Sequence, residues 1–174
     1  MNAKILKALN AQIQREGFSS QLYLAMASWA DVNGLEGTAS FLYKQSDEER
    51  MHMLKLVHFI NERDGKVVIP AIDKVDGDYK NILDLCEKLL KHERTLTEDI
   101  AQLVHLCLEE KDYTTHNFMQ WYVNEQLEEE AQARTILDKV KLVGTDKGGL
   151  YLLDNDLGAG KISTRYSTDN SANA

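Results

Sequence analysis

The chain has 174 residues, with 20 Lys and Arg against 28 Asp and Glu, a formal net charge of −8 at pH 7, 43% hydrophobic residues and a single proline. That length suits one domain with a real core, and the acidity argues against nucleic acid or an anionic membrane surface as a partner. No run of about 18 apolar residues is present to span a bilayer, Met1-Asn2-Ala3-Lys4 does not open an apolar leader, and two cysteines, Cys86 and Cys107, are too few for a disulfide scaffold; the expectation is a cytoplasmic protein.

Apolar residues recur at alternating spacings of three and four, which predicts four long helices. The first runs from Ala3 to Asn33 on a stripe of Leu6, Leu9, Ile13, Tyr23 and Ala27, and Asn33-Gly34 ends it. The second covers Leu35 to Arg63 on Leu35, Ala39, Leu42, Met53, Leu56 and Ile60, and closes at Asp64-Gly65. A longer connection to Gly77 contains Pro70. The third helix starts near Asp78 and continues to Glu110, carrying Ile82, Cys86, Leu89, Leu96, Ile100, Leu103 and Cys107. The fourth spans Tyr113 to Val143 with Met119, Tyr122, Ala133, Ile136 and Val140, and stops at Gly144. Gly148-Gly149 then precedes the apolar block Leu150-Tyr151-Leu152-Leu153, read as a short fifth helix.

Helices of about 30 residues are about 45 Å long. The middle connection, fully extended, reaches about 40 Å and can cross the whole bundle. The expected fold is all-α: an antiparallel four-helix bundle with one long crossover over residues 1–145, a short C-terminal helix over 146–160, and a polar flexible tail over 161–174.

The stripes are interrupted in a pattern. Each helix places one glutamate where an apolar residue belongs: Glu16, Glu49, Glu93 and Glu129. Each lies about 13 to 16 residues into its helix, about 20–24 Å along the axis, so the four share a level. Four buried carboxylates repel one another and cost several kcal/mol each if unpaired. No Lys or Arg occupies the stripes, so a cation is the natural partner. His52 follows Glu49 by three residues on the same face. Oxygen ligands with one imidazole suit iron or manganese better than a thiolate-seeking metal.

Glu48, Glu125 and Glu128 form a candidate satellite cation site, although a run such as Glu128-Glu129-Glu130 is ordinarily a solvated face. Tyr23 sits on the same stripe within two turns of Glu16, which leaves a redox or hydrogen-bonding role open to it. His58, His92, His105 and His116 read as solvent-facing or locally bonded, Trp29 and Trp121 as core. Cys86 and Cys107 read as separate buried thiols, about 31 Å apart along one helix.

Glu16-Gly17-Phe18-Ser19-Ser20-Gln21-Leu22-Tyr23, Asp47-Glu48-Glu49-Arg50-Met51-His52-Met53, the run from Asn117 to Glu130 and Gly149-Leu150-Tyr151 together resemble the prokaryotic non-haem ferritins. The resemblance extends over nearly the whole chain. It implies a 24-subunit hollow shell of identical subunits that oxidises Fe(II) with O₂ or hydrogen peroxide and stores the ferric product as a mineral. It implies one iron on Glu16, Glu49 and His52, and a second on the bridging Glu49 with Glu93 and Glu129, Gln126 being close by. A third, more exposed iron would use Glu48, Glu125 and Glu128, and Tyr23 would stand beside the centre. Arg50 occupies the place of the haem-ligating methionine of bacterioferritins, so no haem is expected. Gln126-x-x-Glu129 replaces their second Glu-x-x-His. Two other readings share the four acids. One is a di-metal oxidase or oxygenase acting on an organic substrate; the other is a helical adaptor, which leaves the buried acids unexplained.

Overall fold

The structure, a computed structural model, describes residues 1–162; the rest of the expected tail lies outside the described residues. Its helices are α1 (Ala3–Val32), α2 (Glu36–Glu62), α3 (Ile82–Glu109), α4 (Tyr113–Val143) and α5 (Lys147–Gly158). There is no strand among the described residues, and no helix among them is long and apolar enough to cross a membrane. The all-α bundle with one long crossover and a short fifth helix is therefore the observed architecture.

Local chemistry sets most helix starts. The side chains of Asn2, Asn81, Asp112 and Asp146 accept from first-turn backbone N–H groups of α1, α3, α4 and α5. The expected start of the third helix at Asp78 moves to Ile82 because Asn81 is the cap. The glycines expected ahead of the fifth helix lie in its first turn, where Gly148 and Gly149 donate to Asp146. Tyr151 and Leu152 of its apolar block face outward, while Leu153 and Leu157 are buried. In α1 the stripe opens with the fully buried Ile5 rather than Leu6.

Helix α2 is capped from a distance. Leu35 offers no side-chain cap; instead Asp154 of α5 accepts from Gly37 N (2.9 Å), Thr38 N (2.7 Å) and the Thr38 hydroxyl (2.7 Å). Only glycine fits there, since a Cβ on Gly37 would lie 1.9 Å from the Asp154 carbonyl oxygen.

The crossover runs along α1. Asn10 binds its beginning through Lys66 O (3.2 Å) and Val68 N (2.7 Å). Near its end the buried Tyr79 meets Trp29 edge-on. From Asn10 to Trp29 is about 29 Å of helix, so this segment carries the chain from one end of the bundle to the other and leaves α2 and α3 parallel.

The core falls into two apolar clusters. One gathers Met26, Ala27, Leu42, Leu85, Leu89, Ile136 and Leu153 near the α5 end. The other gathers Ile5, Leu9, Ile13, Leu56, Ile60, Ile100 and Met119. A buried polar layer of Gln12, Glu16, Ser19, Ser20, Gln45, Ser46, Glu49, His52, Glu93 and Gln126 supplies the residues between them. Ser20 and Ser46 each donate to the other's carbonyl oxygen at 2.8 Å, tying α1 to α2 in that layer.

Gly37→Ala should displace α5 from the start of α2. The expected cost is about 1–3 kcal/mol, with earlier proteolytic cutting beyond Val143. The thermal midpoint and limited proteolysis measure it, and a wild-type pattern in both would show that Asp154 does not hold α5.

Candidate metal centre

The four stripe glutamates reach the polar layer from four different helices: Glu16 from α1, Glu49 from α2, Glu93 from α3 and Glu129 from α4. Glu16, Glu49 and Glu93 are 3%, 2% and 0% exposed. His52, one turn after Glu49, is buried beside them. One ligand atom each from Glu16, Glu49 and His52 lies within 4.8 Å of the others, and Glu49, Glu93 and Glu129 form a second such group. Glu49 belongs to both. His52 Nδ1 stands 3.8 Å from Glu16 Oε2, 3.7 Å from Glu49 Oε2 and 3.7 Å from Glu129 Oε1.

The outer hydrogen bonds are unevenly distributed. Glu93 accepts from the Tyr23 hydroxyl on Oε1 (2.8 Å) and from Gln126 Nε2 on Oε2 (2.8 Å). Gln126 also donates to the Glu93 carbonyl oxygen at 3.2 Å, so its amide nitrogen is spent on orienting Glu93. Glu16 accepts from Gln12 Nε2 at 2.7 Å. The shared carboxylate has the opposite condition: Glu49 Oε2 is buried with no hydrogen-bond partner. A buried carboxylate oxygen left bare is costly unless a cation meets it. The donor set fits one: eight carboxylate oxygens and an imidazole nitrogen, with no ammonium or guanidinium among them.

Charge repulsion shows in the protonation equilibria. Burial first, and then the neighbouring carboxylates, push Glu16, Glu49 and Glu129 well above the usual carboxylate range. Burial also raises Glu93, against the lowering effect of its bonds from Tyr23 and Gln126. Tyr23, raised by burial and by Glu93, remains a phenol that donates.

His52 sits in an aromatic setting. Trp121 and Tyr122 meet its ring edge-on at 5.1 and 6.2 Å, and the Tyr122 hydroxyl donates to its carbonyl oxygen at 2.7 Å. Trp121 is half-buried, not interior as its sequence position suggests, and Lys55 Nζ lies 4.2 Å from its ring centre; Trp29 is half-buried as well. His92 is neither solvent-facing nor locally bonded: its ring shares a hydrogen bond with the Ser19 hydroxyl at 2.8 Å, joining α3 to α1.

The satellite acids are arranged differently. Glu48, Glu125 and Glu128 line one cavity of about 590 Å³ with Gln45, His52, Glu129, Gln132 and the end of α5. They do not form one of the converging ligand groups among the described residues. Glu48 is held by Gln45 and, at 3.5 Å, by Lys44. Burial, ahead of its charged neighbours, raises Glu125. Glu130 turns away to Thr97, Arg94 and Arg134. Sequence reasoning passed over Gln12, whose signal was its place on the α1 stripe one turn before Glu16.

A four-helix bundle with two candidate ligand groups about one shared interior carboxylate has the pattern of the carboxylate-bridged dinuclear metal proteins. Residues 6–143 match the family model for ferritin, described as a ferritin-like domain. The chain is 43% identical over 154 residues to a bacterial non-heme ferritin of Campylobacter jejuni, covering 88% of this chain and 92% of that one. It is 44% identical over 165 residues to a probable bacterial non-heme ferritin-like protein of Haemophilus influenzae, covering 95% and 99%. An open-pore ferritin from Archaeoglobus fulgidus superposes with a TM-score of 0.89 at 41% identity, over 91% of this chain and 96% of that one. The chain belongs to the ferritin family.

The raised carboxyl groups make cation binding pH-dependent in a definite direction. Folding without a cation leaves protons on these groups, so the metal-free fold loses stability as pH rises above the ordinary carboxylate range of about 4.5. A cation displaces those protons, and its affinity should climb by up to about tenfold per pH unit for each proton released. Redox-inert Zn(II) should therefore raise the thermal midpoint more at pH 7.5 than at pH 5.5; an equal rise at both would contradict the buried-carboxylate account.

Proposed function

We propose that this protein is an iron-storing ferroxidase of the cytoplasm, in which the intra-bundle centre oxidises Fe(II) and a shell of 24 identical subunits retains the ferric oxyhydroxide. The observation that carries this reading is Glu49, common to both ligand groups and bare on one buried oxygen.

Two Fe(II) ions are the substrate. Glu16 and His52 hold one from the α1–α2 side, Glu93 and Glu129 hold the other from the α3–α4 side, and Glu49 bridges them. Loading displaces protons from the raised carboxyl groups. Each iron yields one electron: O₂ takes two electrons and two protons to become hydrogen peroxide, or hydrogen peroxide takes two of each to become water. The carboxylates favour the harder Fe(III) product by charge and oxygen donation, and labile oxygen ligands let it leave. Tyr23 and Gln126 keep Glu93 oriented throughout by their bonds to its two oxygens. Glu48, Glu125 and Glu128 offer a third iron site, and Fe(III) hydrolyses and mineralises in the shell cavity. No haem takes part.

Glu49→Ala and His52→Ala should each slow the fast phase of aerobic Fe(II) oxidation by about a hundredfold or more, because outer groups alone already cost 10–100-fold in comparable centres. Stopped-flow absorbance reads the rate and light scattering the assembly, which should stay intact. Wild-type rates in both variants would remove the assignment, and a monomeric wild-type protein would favour the oxidase acting on an organic substrate.

A further inference from the structure

Gln12 has no assigned task in the centre, yet nothing about the fold asks for it. It is 0% exposed and occupies the inner face of α1 with Ile5, Leu9, Ile13 and Glu16. Its Nε2 donates to Glu16 Oε1 at 2.7 Å, while its own Oε1 is buried without a partner. A methionine would fill much the same space with no polar atom to satisfy. For packing alone, the amide is the worse residue.

The benefit falls on Glu16. A donor on Oε1 fixes the rotation of the carboxylate, and Oε2 then faces His52 Nδ1 at 3.8 Å. Glu93, the corresponding non-bridging ligand of the other group, has its own donors in Tyr23 and Gln126. The bridging Glu49 has one oxygen with none. Each half of the centre thus has an outer carboxylate with a donor of its own, and the shared one keeps a bare oxygen.

We propose that Gln12 is a positioning residue for the first iron, acting through Glu16 to set the affinity and ligand geometry of the Glu16–Glu49–His52 group without touching the metal. The inference rests on the ferroxidase reading above and adds to it an outer residue specific to one of the two irons. It also accounts for the unpaired amide oxygen, which is the consequence of turning the nitrogen toward Glu16.

The test is anaerobic titration of the assembled protein with Zn(II) by calorimetry and with Co(II) by visible absorbance. Wild-type protein should take up a tight pair of cations per subunit. Gln12→Met should weaken one of the pair about tenfold, the worth of a hydrogen bond to a charged group, and shift its Co(II) band, with the metal-free thermal midpoint unchanged or higher. If that variant fails to assemble, Gln12→Asn, which keeps the amide but falls a methylene short, should show the same loss. In a Glu16→Ala background, Gln12→Met should change neither affinity nor band, which separates action through Glu16 from a general packing effect. Wild-type affinities and spectrum in Gln12→Met, or a drop in metal-free stability alone, would overturn the inference while leaving the proposed function standing. A wild-type protein without a tight pair would overturn both.

Discussion

Four carboxylates and an imidazole buried in one layer of a helix bundle impose the constraint that organises this molecule. Each carboxylate taken from water without a counter-charge costs several kcal/mol, and their mutual repulsion grows in the low-dielectric interior. The protein meets that cost by segregation. Two apolar clusters, one around Ile5, Leu56 and Met119 and one around Met26, Leu89 and Ile136, supply the packing at either end. The layer between is lined with amides and hydroxyls, and the Ser20–Ser46 pair closes α1 on α2 there through backbone carbonyls. Stability and chemistry are thereby assigned to different levels of the same four helices.

Within the layer the hydrogen bonds settle which carboxylates are rigid. Glu93 has a phenol and an amide on its two oxygens, and Glu16 has an amide on one. Glu49 lacks a partner on Oε2 although it lies between them. In the proposed reaction the shared carboxylate would serve both cations, and its bare oxygen is the one no protein donor holds. Orientation at the rim and freedom at the centre therefore follow from the same economy of donors.

The bundle and its acids were legible because both obey one rule. A helix reports its buried face every three or four residues, so four glutamates on four apolar stripes stand out without reference to any fold, and connection lengths settle the crossover. The starts at Ala3 and Tyr113 were read where Asn2 and Asp112 cap them, whereas the cap Asn81 went unread and displaced the start of α3 by four residues. What else escaped depends on partners distant in sequence. Asp154 caps α2 from more than a hundred residues away, which no pattern around Leu35 announces. Gln12 was passed over because one amide in a stripe is an ordinary exception, and only its contact with Glu16 gives it meaning. Gln126 was expected beside the second ligand group, but which way its amide points is decided by Glu93 across the α3–α4 contact.

The layer is also closed on one side and open on the other, and the sequence had no means of showing this. The crossover seals the α1 side at the level of Glu16: Ile72 and Met53 come so close to Gly17 that a Cβ there would sit 3.1 and 3.3 Å from them. The cavity of about 360 Å³ beneath the crossover is lined by Arg15, Phe18, Ile72 and His92 and reaches none of the five candidate ligands. On the opposite side, cavities of about 730 and 590 Å³ both reach His52, and the second reaches Glu129 as well, past Glu48, Glu125 and Glu128. The α2–α4 face is thus where the layer opens, with the satellite acids lining the second cavity and the end of α5 forming one of its walls. The tertiary cap that Asp154 places on α2 consequently does more than stabilise a helix end: it holds in position a wall of the cavity that reaches His52 and Glu129.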